Sequence, residues 1–82
     1  DPSYTAAIVN LANLKVIIND YKDAIKLYNE GIDHILHCLK HNNNASDRFL
    51  IAKKIDIYAK RVNYINNCIA NQKLIQDIKN GK

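Results

Sequence analysis

An all-α fold, an antiparallel three-helix bundle, is predicted from three observations. Apolar pairs recur every three or four residues from Asp20 to Lys40, which lays one stripe along a helix. A second stripe, Ile51, Ile55, Tyr58, Val62, Ile65 and Ile69, alternates steps of four and three, a heptad-like seam. Short polar breaks at Asn19-Asp20 and from His41 to Ser46 separate the elements. Short connections make neighbouring helices antiparallel.

The first helix is expected from Tyr4 to about Ile18, with Pro2 ahead of it and Ser3 as its N-cap. Ile8, Leu11, Ala12 and Ile18 make a rough stripe, widened by Val9, Leu14, Val16 and Ile17. A helix apolar on more than one face touches two neighbours or offers a strip to a partner. Asp20 then reads as the N-cap of a second helix, Tyr21 to about His41, with Asp23 in the capping-box position. Its stripe mixes small Ala24 and Gly31 with Leu27, Tyr28, Ile32, Ile35 and Leu36. Glycine inside a helix costs about 1 kcal/mol relative to alanine. Close approach of a neighbouring helix is a reason to keep Gly31.

Three consecutive asparagines, 42 to 44, favour a turn because their side chains compete for backbone hydrogen bonds. Ser46 is expected to cap the third helix, with Asp47 favourably placed in its first turn. Beyond Ile69 the seam meets Gln72 and Gln76, while Leu74, Ile75 and Ile78 fall out of phase. Fraying or a linker is therefore expected from about Asn71. Residues 1–72 make the bundle, and 73–82 make a frayed end or a linker to a longer parent.

Eighty-two residues make one domain of modest core and marginal stability. Thirteen Ile and twelve Asn beside one Phe and no Trp give a mainly aliphatic core. The net charge of +4 is spread over Lys15, Lys22, Lys26, Lys40, Lys53, Lys54, Lys60 and Arg61 rather than gathered in one segment. That describes a solvated face better than a nucleic-acid surface. Cys38 and Cys68 lie on or beside apolar stripes and form no CxxC pair. They read as buried reduced thiols, with a disulfide between the second and third helices as the alternative. No secretory signal, membrane span or lipidation pattern is present. The opening Asp1-Pro2-Ser3 without Met is expected of a segment excised from a longer chain.

Catalytic patterns are missing: there is no nucleophile elbow, Walker loop, HExxH or carboxylate pair. One Glu and two Gly leave little for acid–base work or for cradling phosphate. His34, His37 and His41 share a helix at metal-ligand spacing beside Cys38. Without an orienting acidic partner they read as surface or boundary residues. The domain is expected to be non-enzymatic, with no cofactor and no metal.

One resemblance covers about Ile8 to Ile69. Tyr21-x-x-Ala24-Ile25-x-Leu27-Tyr28-x-x-Gly31-Ile32, then Leu36-His37-x-Leu39-Lys40, then Lys53-Lys54-x-x-x-Tyr58-x-x-Arg61 resembles the MIT (microtubule-interacting and trafficking) domain. Leu36-His37-x-Leu39-Lys40 is most similar to the MIT domain of the AAA ATPase that disassembles ESCRT-III. The second-helix half is also similar to a tetratricopeptide repeat helix. The resemblance implies a cytoplasmic, monomeric module, recruited to endosomal membranes only through its partners. Those partners are C-terminal tails of ESCRT-III subunits, and the module would target a AAA ATPase parent to them. It implies two grooves, which are binding modes known from other modules. Between the first and third helices an extended tail would meet Val9, Ala12, Lys54 and Arg61. Between the second and third a helical tail would meet Ile32, Leu36, Leu39, Ala59, Lys60 and Asn63.

Two positions depart from the family pattern. Ala59 stands where a leucine contacts the helical tail, and Lys60 where an acid pairs with a basic ligand residue. The first removes apolar surface and the second would repel. The expectation therefore leans to the first–third groove. The alternative is a structural helical module, a tetratricopeptide-like hairpin or a dimerisation bundle, with no affinity for ESCRT-III tails.

Overall fold

The computed structural model describes residues 2–41 and 44–81. Among these residues there are three helices and no strand: α1 (Pro2–Ile17), α2 (Tyr21–Lys40) and α3 (Ala45–Lys79). α2 lies in the middle and packs on both neighbours, whereas α1 and α3 meet only sparsely. Two reversals of direction make α1 and α3 parallel to each other and antiparallel to α2.

α1 begins at Pro2 rather than after Ser3. Proline suits a first helical position, because its missing N–H has no intrahelical partner there anyway. The helix stops in a Schellman arrangement. Asn19 takes φ 63°, the left-handed conformation that Asn tolerates best after Gly. The Asp20 N–H then reaches the Lys15 carbonyl at 2.8 Å, and the Asn19 N–H reaches that of Val16 at 3.0 Å. Asp20 also opens α2, its carboxylate accepting the Asp23 N–H at 3.5 Å. Lys15 Nζ bridges Asp20 at 3.7 Å and Asp23 at 3.3 Å, holding the corner.

α3 is capped by Asn44, not Ser46. Asn44 Oδ1 accepts the N–H of Ser46 at 2.9 Å and of Asp47 at 3.2 Å. Asn is as good a cap as Ser, so the helix starts two residues earlier than expected and Ser46 lies inside its first turn. The rest of the expected turn, Asn42 and Asn43, lies outside the described residues. Arg48 Nη1 donates to the Leu39 carbonyl at 2.8 Å, closing the α2–α3 end. α3 stays helical to Lys79, past Asn71, where fraying was expected. Leu74, Ile75 and Ile78 are exposed there. The out-of-phase side chains change what the helix buries and do not end it.

The core joins Val9 and Ala12 of α1, Ala24 and Tyr28 of α2 and Ile65 of α3. Tyr58, Val62 and Ile69 pack against it, so the α3 seam faces inward as its spacing predicts. The α1 stripe is different. Thr5, Ile8, Val9 and Ala12 are buried, while Leu11 and Ile18, expected on the stripe, are exposed with Leu14 and Ile17. Apart from Ile8, the residues facing inward are the smaller ones, since α2 presents Ala24 and Gly31 and the helices approach closely. The Tyr28 hydroxyl donates to Asn13 Oδ1, satisfying a polar tip in a largely apolar setting. Tyr28 and Tyr58 rings stack with centroids 6.3 Å apart.

Gly31 faces α1, as expected, yet space remains for a methyl group. A Cβ there would lie 3.5 Å from Val9 Cγ2 and 3.7 Å from Ile8 Cγ2, an ordinary contact distance. Gly31→Ala is therefore expected to stabilise the fold by up to about 1 kcal/mol through helix propensity and unfolded-chain entropy. Urea unfolding checks this; a lower midpoint for the variant would mean the α1–α2 packing is tighter than these distances.

Candidate functional site

Because α1 and α3 are held apart by α2, a groove runs between them along their shared direction. Two pockets open into it. At one end Thr5 and Ala6 of α1 face Ile51, Lys54 and Tyr58 of α3, with Ile35 and Cys38 of α2 as floor. At the other, Asn13, Val16 and Ile17 face Arg61, Tyr64 and Ile65, with Tyr28 beneath. The pockets are about 200 Å³ and about 290 Å³. Both fall below the roughly 300–1,000 Å³ of ordinary small-molecule clefts, and each is large enough for one or two side chains. From Ile51 to Tyr64 α3 rises roughly 20 Å, a length that about six extended residues would span.

The polar features sit on the rim. Thr5 Oγ1 and His34 Nδ1 share a hydrogen bond of 2.7 Å, and the Tyr4 ring lies 5.0 Å from that imidazole. The Arg61 guanidinium rests 5.6 Å from the centre of the Tyr58 ring, a cation–π placement. A hydrogen bond with Cys68, and its electrostatic influence, hold the Tyr64 phenol above its usual range. Tyr64 is thus a neutral hydroxyl over any physiological pH.

The expected residues of this groove divide into floor and rim. Lys54 and Arg61 line the pockets at opposite ends. Val9 is 6% exposed and Ala12 0%, so both belong to the core beneath the groove. The accessible α1 wall is Ala6, Asn13, Val16 and Ile17, with Thr5 buried at its foot. Sequence reading missed Thr5, Ala6, Asn13 and Tyr64 as site residues. The available signal was position: Thr5, Ala6 and Asn13 each lie one turn from core residue Val9, and Tyr64 adjoins core residue Ile65.

On the other side of α3, Ala59, Lys60 and Asn63 are exposed. Across from them on α2, Ile32 and Leu39 are half-buried and Leu36 is exposed. Lys60 Nζ pairs with Asp56 at 2.9 Å across one turn, with both side chains largely in solvent. This exposed pair adds little stability, but it places an acid one turn from the departure at Lys60.

The remaining chemistry-bearing residues do not converge. His37 and His41 rings meet edge-on at 4.7 Å on the surface, while His34 is engaged by Thr5. Among the described residues no three His, Cys, Asp or Glu could jointly hold a metal ion. Cys38 and Cys68 are free, half-buried thiols. No helix among the described residues is long and apolar enough to cross a membrane.

The family model of the MIT (microtubule interacting and transport) domain matches residues 4–67, from the first turn of α1 to about two thirds of the way along α3. No curated protein and no solved structure matches.

Proposed function

The chain belongs to the MIT domain family, a family of non-catalytic protein-interaction modules, and from that premise we propose that it binds C-terminal tails of ESCRT-III subunits in the α1–α3 groove. In this reading it targets a larger parent, a AAA ATPase of endosomal sorting, to ESCRT-III assemblies. The working location is the cytoplasm, at endosomal membranes, and contact with the membrane is made through the partner. Residues 1–72 form the binding bundle, and 73–82 lead toward the parent.

The observation that carries this reading is the groove, with apolar pockets at both ends and a cation on the rim of each. Its shape suits an extended chain. Residues Ile32, Leu36, Leu39, Ala59, Lys60 and Asn63 remain the second, weaker surface for a helical tail. Affinity for one tail is expected to be modest, with tight attachment coming from several copies in an oligomeric parent.

Fluorescence anisotropy of labelled ESCRT-III tail peptides, titrated with the 82-residue chain, tests the reading. Saturable binding of at least one tail is the expected result. If no tail of the panel binds, the reading fails. Exposed Leu11, Leu14, Ile17 and Ile18 favour a dimerisation bundle as the second reading. A mass that rises with concentration would then accompany the lack of tail binding.

A further inference from the structure

We propose that the α1–α3 groove selects an extended peptide with two carboxylates three residues apart, one pairing with Lys54 and the other with Arg61. This rests on the groove being the binding site and adds the chemistry of its ligand.

The argument starts from charge. Both pockets contain one cation and no carboxylate among their lining residues. The α1 wall, Pro2–Ile17, contains no Asp or Glu. The ion pairs that do form lie outside the groove: Lys15 with Asp20 and Asp23, and Lys60 with Asp56. Lys54 and Arg61 have no carboxylate within ion-pair distance among the described residues, and both are exposed on the rim. A groove with two unneutralised cations attracts an acidic ligand and rejects a basic one.

Spacing then narrows the ligand. Lys54 and Arg61 are seven positions apart, two turns of α3 and about 10.5 Å along its axis. A polyproline II chain rises about 3.1 Å per residue and returns to the same face every third residue. Residues i and i+3 therefore stand on one side, about 9.3 Å apart, and flexible Lys and Arg side chains cover the small difference. A β-strand does not give this match, since its i and i+3 side chains point to opposite faces. Of the two intervening residues, one can face Tyr58, which lies between the two cations.

Arg61 is also pre-placed. Its guanidinium lies against the Tyr58 ring, and a flat cation stacked in this way still offers its N–H edge to a carboxylate. Less side-chain freedom is lost on binding than for a free arginine.

The test uses capped hexapeptides of two Leu-Glu-Pro repeats, their Leu-Gln-Pro counterpart, and a version with the two Glu four residues apart. They are titrated against the chain and its Lys54→Gln and Arg61→Gln variants, with far-UV circular dichroism confirming unchanged helix content. The three-residue Glu peptide should bind about tenfold tighter than the Gln peptide at low salt, at about threefold per exposed pair. Raising the salt should shrink that advantage. Each variant should lose about threefold for the Glu peptide and nothing for the Gln peptide. Equal affinity for Glu and Gln peptides, indifference to Glu spacing, or variants that weaken both peptides alike would overturn the proposal. If ESCRT-III tails bind while the Glu peptides do not, the acid pair is wrong and the groove reading stands. If no tail binds either, the groove reading itself has failed.

Discussion

Ile65→Ala should lower the melting temperature by at least about 10 °C. Ile65 is 1% exposed and closes the core against Val9, Ala12, Ala24 and Tyr28. Removing a buried isoleucine down to alanine costs about 2–5 kcal/mol, because the lost burial is joined by the cavity left behind. In a domain of this size each kcal/mol moves the midpoint by about 4–8 °C. Native domains have only about 5–15 kcal/mol in total, and a small one buries a smaller share of its surface. The variant should therefore approach the unfolding threshold near 37 °C. Ile57→Ala is the control: Ile57 is 47% exposed on the same helix, and its loss should stay within about 0.5 kcal/mol. Thermal melts of the two proteins decide the matter. Equal melting temperatures would mean that α3 is not docked through the Ile65 face.

The second large effect is on binding. Ala6→Tyr should weaken an ESCRT-III tail at least tenfold while leaving helix content and melting temperature nearly unchanged. Ala6 is exposed on α1 and lines the pocket shared with Ile51, Lys54 and Tyr58. A phenol ring there would fill most of about 200 Å³. The fold loses only the difference in helix propensity, about 0.5 kcal/mol. A tenfold loss corresponds to about 1.4 kcal/mol of binding free energy, a modest demand for a blocked pocket. Ala12 is the wrong place for such a block. It is fully enclosed, and a large side chain there would overpack the core, confusing loss of binding with loss of fold. Anisotropy titrations of the wild type and Ala6→Tyr supply the comparison. An unchanged affinity would place the site elsewhere.

Much of the fold was legible because long periodic stripes leave few alternatives. Tyr58, Val62, Ile65 and Ile69 of the α3 seam face the core, and Asp20 caps α2 where its spacing suggests. The α1 face was not legible, for a physical reason. A helix apolar all round carries no direction in its period. The choice among its faces is made by the neighbour, and α2 offers Ala24 and Gly31. Thr5, Ile8, Val9 and Ala12 therefore turn inward, three of them small, and Leu11, Leu14 and Ile18 turn out. The α3 cap was expected at Ser46 and falls at Asn44, because Asn44, read as part of the turn, is as good a cap and only the backbone path separates them.

The candidate site was legible on one wall only. Lys54 and Arg61 could be placed on the rim because the α3 seam fixes what lies beside it. Thr5, Ala6 and Asn13 could not, because small and polar residues leave no hydrophobic signal and the α1 face was undecided. The charge pattern was also out of reach. Which cations lack a partner depends on three-dimensional pairing, such as Lys15 with Asp23 and Lys60 with Asp56.

The central claim is that the α1–α3 groove receives an ESCRT-III tail, and amide shift mapping of the isotope-labelled chain tests it most directly. The account predicts shifts on both walls at once, at Ala6 and Asn13 on α1 and at Lys54, Arg61 and Tyr64 on α3, moving together along one saturation curve. Shifts confined to Leu36, Ala59 and Asn63 would contradict it, since the tail would then lie between α2 and α3.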